Sequence, residues 1–127
     1  MKDHFGCPVQ ATYNVLARKW KVLIVWYLTF GSRRFAELRD LLPGISEKVL
    51  TSQLRQLEHD GIVRRLVTAS VPPRVDYMLS SAGKDLVPVM EAMCHGATKH
   101  LWSEAEPAPL RGISLNPLLR IICIICV

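Results

Sequence analysis

Ser46–Glu47–Lys48–Val49–Leu50–Thr51–Ser52–Gln53–Leu54–Arg55–Gln56–Leu57–Glu58–His59–Asp60–Gly61 has the grammar of one short amphipathic helix. Ser46 is a good N-cap, because its hydroxyl can accept a hydrogen bond from an otherwise unpaired backbone N–H. Gly61 is a good stop, because glycine enters the left-handed conformation that ends helices. At about 100° per residue, with Leu50 as zero, Leu54 falls near 40° and Leu57 near 340°. Lys48, Arg55, His59 and Ser52 gather on the opposite side, at roughly 140–200° on the same wheel, flanked by Thr51 and Gln56. That face offers hydrogen-bond donors and positive charge, with no carboxylate at its centre.

Immediately upstream, Phe35 to Leu42 repeats the helical spacing, with Phe35, Leu38, Leu41 and Leu42 apolar and Glu37, Arg39 and Asp40 polar. Pro43–Gly44 closes this segment as a tight turn. The two helices then form a paired element, with Ile45 and Leu50 expected to be buried where they meet. Further upstream, Val9 to Ala17 and Trp20 to Phe30 read as two helices or one bent helix. Val22, Leu23, Trp26, Tyr27 and Phe30 recur at three- and four-residue spacings and are expected to supply central core. Gly31 stops this helix, and Arg33 and Arg34 follow it.

Downstream, Ile62 to Thr68 and Val75 to Leu79 read as two extended segments rich in valine, isoleucine and tyrosine. Pro72–Pro73 keeps the tip between them out of the hydrogen-bonded ladder, so a hairpin is expected, carrying Arg64, Arg65 and Arg74. Ser81 is expected to cap a last helix from about Ala82 to Trp102, with Leu86, Met90, Met93, Ala97 and Leu101 as its apolar stripe and a bend near Pro88. From Ser103 the texture changes to Glu–Ala–Glu–Pro–Ala–Pro and an apolar tail without amphipathic period. Residues 7–102 are therefore read as the domain and 103–127 as a tail. The tail is left open as an added contact, a disordered end or sequence beyond the domain.

The chain's 127 residues, half of them hydrophobic, fit one small domain that needs no disulfide framework. Fully disordered and collagen-like readings fail on composition. The apolar run Ile121 to Val127 falls well short of the roughly 20 residues of a membrane span. No hydrophobic targeting core follows Met1–Lys2–Asp3–His4, so a cytoplasmic, reducing location and no membrane partner are expected. The formal charge is +5, and residues 1–102 carry all of it: 14 Lys+Arg against 9 Asp+Glu, where 103–127 hold 2 against 2. No nucleophile stands beside a base, and there is no glycine-rich phosphate loop or paired-carboxylate signature, so an enzyme is not expected.

Short helices, a polar-faced helix closing at Gly61 and a basic hairpin follow the order of a winged helix-turn-helix domain: mainly α, with a small β-hairpin. B-DNA's major groove admits one helix, whose exposed Lys, Arg, Ser, Thr and Gln can meet phosphates and base edges, and the hairpin can reach the adjacent backbone. The alternative reading is a winged-helix protein-interaction module whose basic residues are solubility charge.

Further phrases carry a family resemblance. They are Cys7–Pro8–Val9, Lys19–Trp20, Arg34–Phe35–x–Glu37–Leu38 and Ile45–Ser46–x–Lys48–Val49–Leu50–Thr51. Leu54–Arg55–x–Leu57–Glu58–x–Asp60–Gly61–Ile62–Val63 and Arg74–Val75–Asp76–Tyr77–x–Leu79–Ser80–x–x–Gly83 continue them. In this order the chain from Cys7 to about Trp102 resembles the HxlR-type bacterial transcription regulators, relatives of the MarR-like winged-helix group. The resemblance implies a cytoplasmic homodimer whose terminal helices pair, bound to a pseudo-palindromic double-stranded DNA operator with one winged domain per half-site. Carried onto this chain, it makes the helix capped by Ser46 the recognition helix. Lys48, Thr51, Ser52, Arg55 and Gln56 are then expected in the groove, with Ser46 at the helix start also counted among the DNA-binding residues, and Arg33, Arg34, Arg64 and Arg74 on phosphates, which position the protein without reading sequence.

Cys7 occupies the position of the redox- or electrophile-sensing thiol in several members of that family, so a small-molecule effector or oxidant is a further expected partner. Beside Pro8 at a helix start, its thiolate would be stabilised by unpaired backbone N–H groups and the helix dipole. The alternative is a buried core or interface cysteine. Cys94 is expected to be a packing residue. Cys123 and Cys126 form a C-x-x-C pair with no second pair to complete a four-ligand site, so no metal and no cofactor are expected.

Overall fold

Gly44 and Gly61 stand at φ +89° and +74°, and these left-handed turns set off the helix between them. The computed structural model describes residues 6–101. Its elements are α1 (Pro8–Leu16), α2 (Lys19–Leu28), β1 (Arg33–Arg34), α3 (Phe35–Leu41), α4 (Glu47–His59), β2 (Val63–Thr68), β3 (Arg74–Leu79), α5 (Ser81–Asp85) and α6 (Val87–His100). They fall into two units that divide between Asp85 and Leu86.

In the first unit, α4 packs on α2 and on β2, α3 packs on α2 and β3, and α1 joins α2. Leu38, Leu42, Leu50, Leu54 and Leu57 are fully buried, together with Ile24, Val25 and Val63. Each such side chain contributes about 1.5–3 kcal/mol relative to an exposed position. Ile45, expected to be buried beside Leu50, is only half-buried.

The core face of α2 differs from the expected one. Val22, Leu23, Trp26 and Tyr27 are half-buried and Phe30 is exposed, whereas Ile24, Val25 and Leu28 are buried, with the stem of Lys21 beside them. A helix apolar nearly all round gives periodicity no preferred direction, so its neighbours choose the face. The half-buried side still packs within itself, the rings of Trp26 and Phe30 meeting edge to face at 5.3 Å.

The sheet has three strands in the order β1-β3-β2, all antiparallel. The hairpin of β2 and β3 was expected. The third strand was not, because two consecutive arginines carry no strand signature and pair only where β3 offers an edge, Arg33 opposite Tyr77 and Arg34 opposite Asp76.

The expected single helix from Ala82 to Trp102 is two helices, separated at Leu86. Pro88 lacks an N–H, and its ring would collide with the carbonyl four residues earlier, so the helix restarts with proline in its first turn. Trp102 lies outside the described residues, as does the tail 103–127 with Cys123 and Cys126. The second unit is represented by α6. Along its stripe Met90 is buried, Leu86 and Ala97 are half-buried, and Met93 and Leu101 are 55% and 86% exposed. No described helix is long and apolar enough to cross a membrane.

Candidate nucleic-acid interface

The outward face of α4 is the side opposite Leu50, Leu54 and Leu57. Lys48, Ser52, Arg55, Gln56 and His59 are exposed there, and Thr51 is half-buried at its edge. The helix starts as read from the sequence, with the Ser46 hydroxyl accepting from the Val49 N–H at 3.2 Å. Ser46 is exposed but engaged as a cap. The carboxylate nearest the start of this face, Glu47, is held by Arg39 of α3, Nη1 to Oε1 2.6 Å. This pair ties α3 to α4 and offsets a negative charge at the N-terminal end of the outward face. On the surface it is worth at most about 1 kcal/mol.

Strand alternation sorts the arginines of the sheet. From the register, Val63, Arg65 and Val67 share a face with Val75, Tyr77 and Leu79, the face that buries Val63 and Leu79. Arg64 and Arg74 lie on the other face with Asp76, and Arg34, opposite Asp76, joins them there. Three of the four arginines expected on phosphates are thus gathered on one side of the sheet. Arg33 is separated from them, half-buried opposite Tyr77 with its Nε out of solvent and without a hydrogen-bond partner. Arg74 does not present a bare charge, since its Nε donates to the Asp76 carboxylate at 2.9 Å.

Two clefts beside α4 contain cations that the sequence reading did not assign. Lys21, only 6% exposed, shares a cleft of about 330 Å³ with Arg55, Gln56, His59 and Asp60. Arg18, Lys19 and Trp20, at the start of α2, share a cleft of about 630 Å³ with Lys48, Val49, Ser52 and Gln53. The run Arg18–Lys19–x–Lys21 is visible as charge in the sequence, but its position beside α4 follows from α2–α4 packing.

Cys7 is the N-cap of α1, exposed, with its sulfur accepting from the Gln10 N–H at 3.4 Å. Within the chain it is therefore not a core cysteine. Cys94 is half-buried on α6. Among the described residues no group of three His, Cys, Asp or Glu side chains is placed to hold a metal ion.

Residues 15–105 match the HxlR-like helix-turn-helix family. The chain belongs to that family. It is 41% identical over 100 residues to the HTH-type transcriptional regulator YtcD of Bacillus subtilis, covering 79% of each chain. With YybR of the same organism, also described as an HTH-type transcriptional regulator, it is 38% identical over 115 residues, covering 91% of this chain and 87% of the relative. Among solved structures it is similar to the redox regulator HypR in its reduced form, with a TM-score of 0.71 and 40% identity, covering 73% of this chain and 92% of that one. The reduced form of the transcriptional regulator YodB from B. subtilis aligns with a TM-score of 0.68 and 33% identity over 76% of this chain and 96% of that one. This member of the HxlR-like family therefore has the winged helix-turn-helix architecture of MarR-like regulators, mostly helical with a small three-stranded antiparallel sheet.

Proposed function

We propose that this protein is a sequence-specific, DNA-binding transcriptional regulator that works in the cytoplasm as a homodimer, with the outward face of α4 in the major groove. The observation that carries the reading is the division of α4. One side is fully buried leucine, while the other exposes Lys48, Ser52, Arg55 and Gln56, side chains that can meet both phosphates and base edges. Arg34, Arg64 and Arg74 lie on one face of the sheet, which supports assigning them to phosphates that flank the groove. Arg33 is the weakest of the expected contacts, since its strand register sets it on the other face.

Two-fold operator contact requires a second copy of the chain. Met93 and Leu101, exposed on α6, are apolar side chains of the kind such a pairing buries. The response to an oxidant or electrophile is assigned to Cys7, which is exposed at a helix N-terminus. The redox regulator HypR, described in both reduced and oxidised forms, supports that assignment by similarity. The protein acts as a regulator and not as a catalyst.

Selection of bound duplexes from a random pool, followed by titration across a salt series, tests the reading. The expected result is an enriched two-fold sequence whose affinity falls steeply with salt as counterions are released. No enrichment, with any binding indifferent to sequence, would leave a protein-interaction module as the better account.

A further inference from the structure

The cleft between the start of α2 and the flank of α4 has an electrostatic character of its own. Its charged lining residues are Arg18, Lys19 and Lys48, and no carboxylate lines it. Arg18 supplies no side-chain cap to α2, and the N–H groups of Lys19 and Trp20 have no partner among the described residues. Unpaired N–H groups and the positive end of the helix dipole add to the three cations.

A second, independent observation marks the cleft as built for a polar occupant. Gln53 lines it, is 6% exposed, and leaves its Oε1 buried with no hydrogen-bond partner. Buried amides are ordinarily paired, so an orphan in a cleft calls for a group arriving from outside. An amide oxygen only accepts, so Gln53 serves an anion in its other orientation, turned by half a revolution, in which the NH₂ takes the place of Oε1 as a donor.

We propose that this cleft is a seat for a DNA backbone phosphate, held by Arg18, Lys19, Lys48 and the unpaired N–H groups of α2. The inference rests on the DNA-binding reading above and extends the interface to a part of the chain assigned no role there. Continuity favours DNA as the occupant. Lys48 and Ser52 belong both to the cleft and to the outward face of α4, so a strand bordering the groove that α4 enters passes over the cleft. The Lys19 ammonium lies 4.5 Å from the centre of the Trp20 ring, which occupies one face of the cleft's aromatic residue and disfavours a stacked aromatic ligand.

The test compares the full-length protein with Arg18→Gln/Lys19→Gln and with a charge-matched control, Lys84→Gln/Lys99→Gln, on a selected operator and on a random-sequence duplex across a salt series. Arg18 and Lys19 are exposed, so the fold is expected to persist, and circular dichroism of the double variant and of each single variant checks it. The expected result is equal weakening on both duplexes and a salt slope lower by about 1 per protomer, about 2 for the homodimer, with the control unchanged. A slope equal to that of the unmodified protein overturns the proposal, and so does an equal shift in the control. Lost discrimination between the duplexes at unchanged slope also overturns it, since that is the mark of a base contact. Failure of the unmodified protein to bind either duplex is a separate result, which removes the DNA-binding reading and this seat with it.

Discussion

Gly83 stands against the backbone of Ile62 so closely that a methyl group on its Cα would lie 2.3 Å from the Ile62 carbonyl oxygen. Ser80 completes this junction. Its N–H donates to the Ile62 carbonyl at 2.9 Å, its hydroxyl donates to the carbonyls of Gly61 and Ile62, and it accepts from the Gly83 N–H at 3.1 Å. The end of α4 and the exit of β3 are therefore joined at one point. Gly83→Ala is expected to cost about 1–3 kcal/mol, as other overpacked sites do. Urea denaturation would show this as a lower midpoint, whereas an unaltered midpoint would mean that the junction yields without cost.

Arg55 and Arg74 are expected to fail differently. Arg55 stands on the outward face of α4, so Arg55→Ala should weaken the selected operator more than random DNA, by about 1–3 kcal/mol if it reads a base. Arg74→Ala should weaken both duplexes about equally, and less than a bare cation would, because Asp76 already shares its charge. Anisotropy titrations on the two duplexes separate the outcomes. Unchanged affinity in both variants would sink the proposed docking of α4 and the wing.

The Cys7 thiol should govern any response to oxidants. Operator release is expected when the unmodified protein is treated with a mild oxidant such as diamide, and Cys7→Ser should remain bound under the same treatment. Because the sulfur caps α1 and serine is a good N-cap residue, the variant should keep its helix. Equal release by both proteins would exclude Cys7 as the switch.

The exposed residues of α6 should matter to assembly more than to folding. Met93→Glu places a charge where 55% of the side chain is open in the single chain. Burying that charge across a two-fold interface is costly. Sedimentation should therefore report a shift from dimer toward monomer, with helix content retained. A dimer of unaltered stability would place the pairing surface elsewhere.

Local sequence was enough to determine the helix-turn-helix. Ser46, Gly44, Gly61 and the spacing of Leu50, Leu54 and Leu57 each specify a local conformation or a helix face, and they agree with one another. The exposed Lys48, Ser52, Arg55 and Gln56 followed from the same wheel, because a helix with one clearly apolar side has its other side defined. Tertiary structure alone decided what lacked such asymmetry. The apolar circumference of α2 could have turned any of several faces inward, and packing against α1, α3, α4 and β3 chose Ile24, Val25 and Leu28. Strand β1 exists because the edge of β3 was available, and its register separated Arg33 from Arg34. The start of α2 met the flank of α4 for the same reason. Periodicity and capping act over a turn or two of chain, whereas the company a residue keeps depends on partners distant in sequence, whose placement is set by burial of the whole core.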